Sequence, residues 1–143
     1  MILNLPFPPR PQHARELADV CVETARKVSG LHLDYTPASL ALVDDQIDRF
    51  ARGGVGVDEI ASTLFCFGCY VGEVLSGAVG GHWVTEEDSP MRGLAGWPMV
   101  VLAPNGSCWN PIGRVFKRFE DGPGENIFHF YSTAAEQARR VPR

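Results

Sequence analysis

The segment STLFCFGCYVGEVLSGAVGGHW, at positions 62 to 83, holds the residue types with the greatest potential for chemistry. If the segment is an α-helix, five small or polar side chains recur at steps of four and three residues and share one face. They are Ser62, Cys66, Cys69, Glu73 and Ser76. Thiols and carboxylates serve redox enzymes, zinc sites and general acid–base catalysts. The pattern therefore raises these three kinds of site as hypotheses.

The CxxC pair of Cys66 and Cys69 does not have the context of a thioredoxin-type redox motif. In that motif the first thiol lies at a helix N-terminus that follows a strand, where the helix dipole lowers its pKa. Here the helix is predicted to begin near Val57, so both thiols lie two turns or more inside it. The context argues against a redox site.

Zinc is an alternative for the same pair. Cys108 and His82 lie in predicted strands that could fold against the helix and complete a Cys₃His set with Cys66 and Cys69. The sequence has a single CxxC, and the other two residues show no motif spacing relative to it. The competing interpretation is that the thiols are buried and act as small apolar side chains. We expect no cofactor and keep zinc as the alternative.

Glu73 stands in an otherwise apolar helix, where an ionised carboxylate is costly unless a partner satisfies it. The candidate partners are the indoles of Trp83 and Trp109, the ring of His82, the guanidinium groups of Arg114 and Arg118, and the backbone amides of Gly80 and Gly81. The sequence shows no nucleophile, no second carboxylate at a defined spacing and no phosphate-binding glycine loop. It therefore favours a buried structural carboxylate over a catalytic one.

Hydrophobic periodicity and turn residues predict the elements that position these side chains. Five helices are expected, at residues 12–29, 36–53, 57–76, 110–122 and 125–140, and three short strands within 82–87, 97–103 and 107–110. The prediction is a single α+β domain over residues 12–143, in which the buried helix 57–76 and flanking helices pack on a small antiparallel sheet. Residues 1–11 form a proline-rich N-terminal arm that either packs on the surface or stays loose.

Composition narrows the function classes. The chain has 143 residues, 45% of them hydrophobic, and a net charge of −4, which argues against binding to nucleic acid or to anionic membranes. Arg114, Lys117 and Arg118 alternate with acidic residues, which predicts a solvated face of mixed charge. Prolines interrupt the apolar N-terminus and no basic region precedes it, so we expect no signal peptide, a cytoplasmic location and reduced thiols.

A membrane span is the alternative for residues 60–79, because the run is long and mainly apolar and its Gly68 and Gly72 form a GxxxG pattern. Glu73 near its middle, Asp58 and Glu59 at one edge and the scarcity of flanking basic residues argue against it. A central helix of a globular core explains the same composition, with the two glycines allowing a neighbour to approach closely.

The loop before the second predicted strand is the candidate surface for a partner. Four large apolar side chains of this loop and of the start of the strand would form an exposed patch if they lie together: Met91, Leu94, Trp97 and Met99. Contiguous apolar patches on a protein surface mark interaction sites. We therefore expect a protein partner to bind here.

A pattern of short motifs runs through the same region: Tyr70-x-Gly72-Glu73, then Gly80-Gly81-x-Trp83, Trp97-Pro98 and Asn110-Pro111 followed by RVFKRFEDG. With the stretch LDYTPASLALVDDQIDRF, this order resembles a group of uncharacterised bacterial proteins that carry a domain of unknown function. The resemblance covers roughly residues 31 to 131. It implies a small intracellular bacterial domain with no established reaction, substrate or cofactor, and it favours a bond from Glu73 to Trp83 or to the backbone.

Two hypotheses about function follow. The leading one is a non-enzymatic binding or adaptor module, of the kind that neutralises a toxin or assists secretion. The alternative is a metal-binding protein or small enzyme that uses a cluster of Cys, His and Glu between helix 57–76 and the sheet. Dimerisation through an uncovered sheet edge is compatible with either hypothesis.

Overall fold

The computed structural model describes residues 2–140. In this range the elements are α1 (Ala14–Ser29), α2 (Leu40–Arg52), α3 (Val57–Val79), β1 (His82–Thr85), β2 (Met99–Leu102), β3 (Cys108–Trp109), α4 (Pro111–Asp121) and α5 (Ile127–Ala138). The predicted α+β fold, with helices packed on a small antiparallel sheet of three strands, is confirmed. Met1 of the predicted arm and residues 141–143 of the predicted domain lie outside the described residues.

The central helix of the fold is α3, as predicted. Thirteen of its residues are buried, α1 packs along one side of it and α4 along another. A Cβ atom placed on Gly68 would lie 2.6 Å from the Cα atom of Ile112, so glycine is required for the close approach of α4. The helix ends later than predicted, because Gly80 provides the left-handed C-terminal residue with φ of 65°.

By length and composition α3 could also span a membrane, and it is the one described helix with this property. Its most apolar window is 72% buried against the rest of the described chain. A helix covered by its neighbours in this way is typical of the core of a globular protein.

The sheet has the strand order β1-β2-β3 and is antiparallel throughout. His82 pairs with Leu102 and Thr85 with Met99, while Val101 pairs with Trp109 on the other side of β2. The predicted PNG turn joins β2 to β3, and Gly106 has the positive φ of 88° that the turn requires. These strands place Trp83 and Met99 against the helices.

The proline-rich arm is docked along the surface. Side chains of residues 2–10 alternate strictly between exposed and partly buried, which is the pattern of an extended segment lying on a surface. Leu3, Leu5 and Phe7 pack against the core, and the Asn4 backbone N–H donates to Ser62 Oγ on α3 over 2.7 Å. Of the two alternatives that the sequence left open, the structure has the packed arm.

A buried ion pair joins α2, α4 and α5. Arg118 Nε donates to Asp44 Oδ1 over 3.0 Å, and the two side chains are 5% and 8% exposed. The Asp44 carboxylate also accepts the backbone N–H groups of Ile127 and Phe128, at 2.9 and 3.2 Å, and so caps the N-terminus of α5 from another helix. The prediction that Arg118 belongs to a solvated face is therefore wrong.

Candidate functional site

Glu73 and Trp83 are joined by a hydrogen bond between α3 and β1. The indole Nε1 of Trp83 donates to Glu73 Oε2 over 3.1 Å, which is one of the partners that the sequence suggested. Trp83 is 8% exposed and therefore buried as predicted, whereas Glu73 is half-buried, which is less than the predicted burial. Water reaches one side of the carboxylate, which lowers the cost of its charge. The pair links the central helix to the sheet.

Gly72 makes this arrangement sterically feasible. A Cβ atom at this position would lie 2.0 Å from Cζ2 and 2.5 Å from Cη2 of Trp83. The indole therefore lies directly on the helix backbone, one residue before the carboxylate to which it donates. The motif Gly72-Glu73 and the later Trp83 form one structural unit, in which the glycine admits the ring and the glutamate holds it.

Three of the four cysteines lie together where α1 packs on α3. Cys21, Cys66 and Cys69 are buried free thiols. Burial raises the pKa of the Cys66 thiol to about 11. Burial, followed by the nearby Cys66 and Cys69, raises the pKa of Cys21 well above its ordinary value. Burial likewise raises the pKa of Cys69, with smaller contributions from Cys66 and Glu73. Thiols with raised pKa values are poor nucleophiles at neutral pH, because little thiolate forms.

The four predicted zinc ligands do not form a site. Cys66 and Cys69 have Cys21 as their neighbour, whereas Cys108 is half-buried on β3 and His82 is exposed at the start of β1. Burial raises the pKa of Cys108 despite opposing hydrogen bonds from the Trp109 backbone and the Ser89 side chain. Within residues 2–140, no three His, Cys, Asp or Glu side chains are arranged to hold one metal ion.

The predicted partner surface is only partly exposed. Met99 is fully buried, because its side chain points from β2 into the core. The prediction that Met99 belongs to an exposed partner surface is therefore wrong. Trp97 is half-buried and stacks on Phe116, with ring centroids 4.3 Å apart. Met91 is half-buried, while Leu94 is 81% exposed. Leu94 is therefore the side chain that this region presents fully to the solvent.

The loop that bears Leu94 is held in one conformation by Glu86. The Glu86 carboxylate accepts the backbone N–H of Gly93 over 3.2 Å and that of Gly96 over 2.7 Å, and both glycines have positive φ. The Asn110 side chain donates to the Ala95 carbonyl on the far side over 3.0 Å. Sequence reasoning missed this loop anchor. The sequence pattern that could have indicated it is Gly-x-x-Gly around Leu94, which lies within ten residues of Glu86.

A groove of about 680 Å³ lies between this loop and the N-terminal arm. Pro8, Pro9, Arg10 and Pro11 form one wall, and Trp97 and Pro98 belong to the other. Exposed Glu87 adds a carboxylate to the rim. Grooves with aromatic walls bind extended protein segments in several recognition domains.

A second groove, of about 380 Å³, lies beside α5, and several of its polar groups already have partners. Arg114 is paired with Glu125 and lies over the Phe130 ring at 5.2 Å. Trp109 Nε1 donates to Gln137 Oε1 over 3.0 Å. With the first backbone amides of α5 bonded to Asp44 and Asn126, the helix terminus has no free donors there to receive an anion.

Sequence reasoning also missed a polar cluster around Tyr70, the first residue of the Tyr70-x-Gly72-Glu73 motif. The Tyr70 hydroxyl accepts the backbone N–H of Tyr35 over 2.8 Å and lies 2.6 Å from Ser39 Oγ. Tyr35 has a positive φ of 63°, which a tyrosine adopts only when its surroundings hold it there. Burial raises the pKa of Tyr70, so the hydroxyl stays neutral as a structural donor and acceptor.

Comparison of the chain with protein-family models, with curated proteins and with solved structures finds no match in any of the three. The resemblance to a bacterial group with a domain of unknown function stays a prediction.

Proposed function

We propose that this protein is a non-enzymatic binding module that contacts a protein partner through the loop around Leu94. The observation that carries the proposal is a leucine that is 81% exposed on a loop held by the Glu86 carboxylate. Binding to a pre-organised loop costs less backbone conformational freedom than binding to a mobile one, so more of the free energy of burying the leucine contributes to affinity.

The neighbouring groove supports the same proposal. Trp97 and Pro98 belong to both the loop and the groove wall, so a partner that covers Leu94 would also reach the groove. Aromatic side chains at such positions provide much of the binding energy of protein interfaces. A cytoplasmic bacterial setting and a role in toxin neutralisation or secretion remain predictions within this proposal.

The proposal is tested by site-specific photo-crosslinking in cells that express the chain, with the crosslinking residue at position 94 and, as a matched control, at position 28. Val28 is also a large exposed apolar residue, at 62%, but it lies on α1. We expect one adduct of defined mass from position 94 and none of that mass from position 28.

Affinity measurements on the partner identified in this way complete the test. Leu94→Ser should weaken binding at least about tenfold, equivalent to about 1.4 kcal/mol, while Val28→Ser should leave the Kd within about twofold. Calorimetric titration of both variants provides the comparison. Equal effects of the two substitutions, or no effect of Leu94→Ser, would remove the loop from the interface.

A further inference from the structure

The turn between β2 and β3 carries an asparagine that caps the C-terminus of α5. The Asn105 side-chain amide donates to the backbone carbonyls of Gln137 and Arg140, over 3.0 and 3.1 Å. Its carbonyl oxygen accepts the backbone N–H of Ser107 over 3.0 Å. The last carbonyls of a helix have no partners within the helix, so a donor from outside satisfies them. Through this one side chain, the turn is fastened to the end of α5.

The same asparagine is followed by glycine, which is the sequence context most prone to loss of the side-chain amide. The backbone nitrogen of Gly106 can attack Cγ of Asn105, because glycine has no side chain to hinder the approach. The other three asparagines of the chain precede Leu5, Pro111 and Ile127. Proline has no N–H, and leucine and isoleucine are bulky, so Asn105 is the asparagine in a reactive context.

The deamidation reaction needs only water as a co-reactant and transfers no electrons. A bond forms between the Gly106 nitrogen and Asn105 Cγ, and the bond from Cγ to Nδ2 breaks. Ammonia leaves with the proton that the Gly106 nitrogen loses. Water then opens the cyclic imide at either of its two carbonyls. The products are aspartate and isoaspartate, and each has a carboxylate in place of the amide.

In the folded chain the reacting atoms are engaged in hydrogen bonds. The Gly106 N–H donates to the Ala103 carbonyl over 3.0 Å, and both polar atoms of the Asn105 side chain are bonded. The attack requires the side-chain amide to turn toward the Gly106 nitrogen, which breaks its bonds to α5. The reaction is therefore coupled to opening of the helix end that Asp44 does not anchor. Helix ends are among the parts of a protein that open locally at low free-energy cost.

The product of the reaction cannot restore the cap. An aspartate at position 105 has no N–H to donate, and its charge faces carbonyls at the negative end of the helix dipole. Arg139 and Arg140 are exposed, so an ion pair with either would recover little of the loss. The Ser107 N–H keeps its acceptor, because a carboxylate oxygen replaces the amide oxygen.

We propose that Asn105 is a modification site under the control of α5. While the helix end is closed, the asparagine caps it and is protected. Once the end opens, deamidation produces a carboxylate that keeps it open. The step is irreversible, so the fraction of modified chains increases each time the helix end opens for long enough to react. None of these residues belongs to the proposed interface around Leu94, so either proposal can fail without the other.

The first test compares deamidation rates at equal pH and temperature, by mass spectrometry of tryptic fragments that assigns the change from amide to acid. The samples are the full chain and a synthetic peptide of residues 101–109, VLAPNGSCW, which has no helix to protect it. We expect the folded chain to react at least about tenfold more slowly than the peptide. Ala138→Gly, which weakens the last turn of α5, should accelerate the reaction about threefold, whereas Ala78→Gly in the last turn of α3 should not change it.

The second test measures hydrogen exchange in Asn105→Asp, which mimics one product. The amides of Arg139 and Arg140 donate to carbonyls of the last turn of α5, so their exchange should accelerate about threefold or more, while core amides of α3 are unaffected. Asn126→Asp is the matched control at the other end of the same helix. There Asn126 Oδ1 accepts the His129 N–H, and aspartate is an equally good acceptor beside the positive end of the dipole. We expect no acceleration in this variant.

Three outcomes would overturn the proposal. If the folded chain deamidates as fast as the peptide, or if Ala138→Gly leaves the rate unchanged, the cap does not protect Asn105. If Asn105→Asp and Asn126→Asp have the same effect on exchange at the end of α5, the modification does not open the helix end. The rate comparison uses the unsubstituted chain, so it decides the question of protection even if a variant fails to fold.

Discussion

Helix α5 and the N-terminal arm are attached to the core of this chain in two different ways, α5 through a junction around Asp44 and the arm mainly through apolar contacts. At the junction, a charge pair with side chains 5% and 8% exposed joins three helices, and both carboxylate oxygens of Asp44 accept backbone donors of α5. At the arm, one backbone hydrogen bond and three partly buried apolar side chains hold residues 2–10.

The difference concerns what happens when each contact opens. Opening the junction leaves a buried charge and unsatisfied backbone donors, so no intermediate with α5 detached is favourable. Releasing the arm exposes a small apolar area and one amide, which water can satisfy. The junction therefore specifies one structure, while the arm can be released without unfolding the rest.

Replacing Asp44 by alanine should have the largest effect on stability. It leaves the Arg118 guanidinium buried without its main partner and removes the cap of α5. Loss of one member of a buried ion pair costs about 3 to 5 kcal/mol. Equilibrium urea unfolding should show a decrease of this size in the free energy of unfolding.

The neighbouring carboxylate is the matched control for this prediction. Asp45 lies on the exposed side of α2, and Asp45→Ala should change stability by no more than about 0.5 kcal/mol. Asp44→Asn, which keeps an acceptor but not the charge, should fall between the two. If Asp44→Ala and Asp45→Ala cost the same, the junction is not what anchors α5.

Gly72→Ala should have the next largest effect on stability. It changes the contact between α3 and Trp83, which depends on close packing instead of charge. The new methyl would lie 2.0 Å from the Trp83 ring, so the indole or the helix must move. Overpacking of this kind costs about 1 to 3 kcal/mol, from which the better helix propensity of alanine subtracts up to about 1 kcal/mol. We expect a net loss of about 1 to 2 kcal/mol in urea unfolding.

Gly77→Ala provides the control on the same helix. No atom lies within 4 Å of its added Cβ, so this substitution should stabilise the protein, by up to about 1 kcal/mol. The loss from Gly72→Ala should also shrink in a Trp83→Leu background, because the atoms that clash are gone. An undiminished loss in that background would mean that the indole is not its cause.

Much of the fold and part of the site could be predicted from local sequence signals. Proline and glycine residues at the ends of elements located the helices and the PNG turn. The isolated Glu73 required a hydrogen-bond partner, and the partners suggested for it included Trp83. These features depend on residues close in the chain or on a general cost of burying charge.

The remaining features depend on pairings between distant residues, which local periodicity does not contain. Arg118 is buried because its guanidinium donates to Asp44 and Asp48, which lie seventy or more positions earlier in the chain. Met99 is buried because β2 is the central strand and turns this side chain toward the helices. The partners of Cys66 and Cys69 were missed for the same reason, since Cys21 reaches them across the contact between α1 and α3.

The smallest expected effect is at the arm, where Leu5→Ser should lower the free energy of unfolding by about 1 kcal/mol or less. Leu5 is already partly exposed, so the substitution returns little apolar area to water. Adding Leu3→Ser and Phe7→Ser should cost little more, because once the arm is undocked there is no further contact to lose. Urea unfolding of the single and triple variants, with exchange of the Asn4 amide as the local readout, measures both quantities.

This non-additivity separates an arm that undocks by itself from a part of the core. In a cooperative core each truncation adds its own loss, and distant substitutions sum to within about 0.5 kcal/mol. At the arm the total is limited by the free energy of docking, which the first substitution already removes in large part. A triple variant that loses the sum of three core-like truncations would show that the arm unfolds only with the domain.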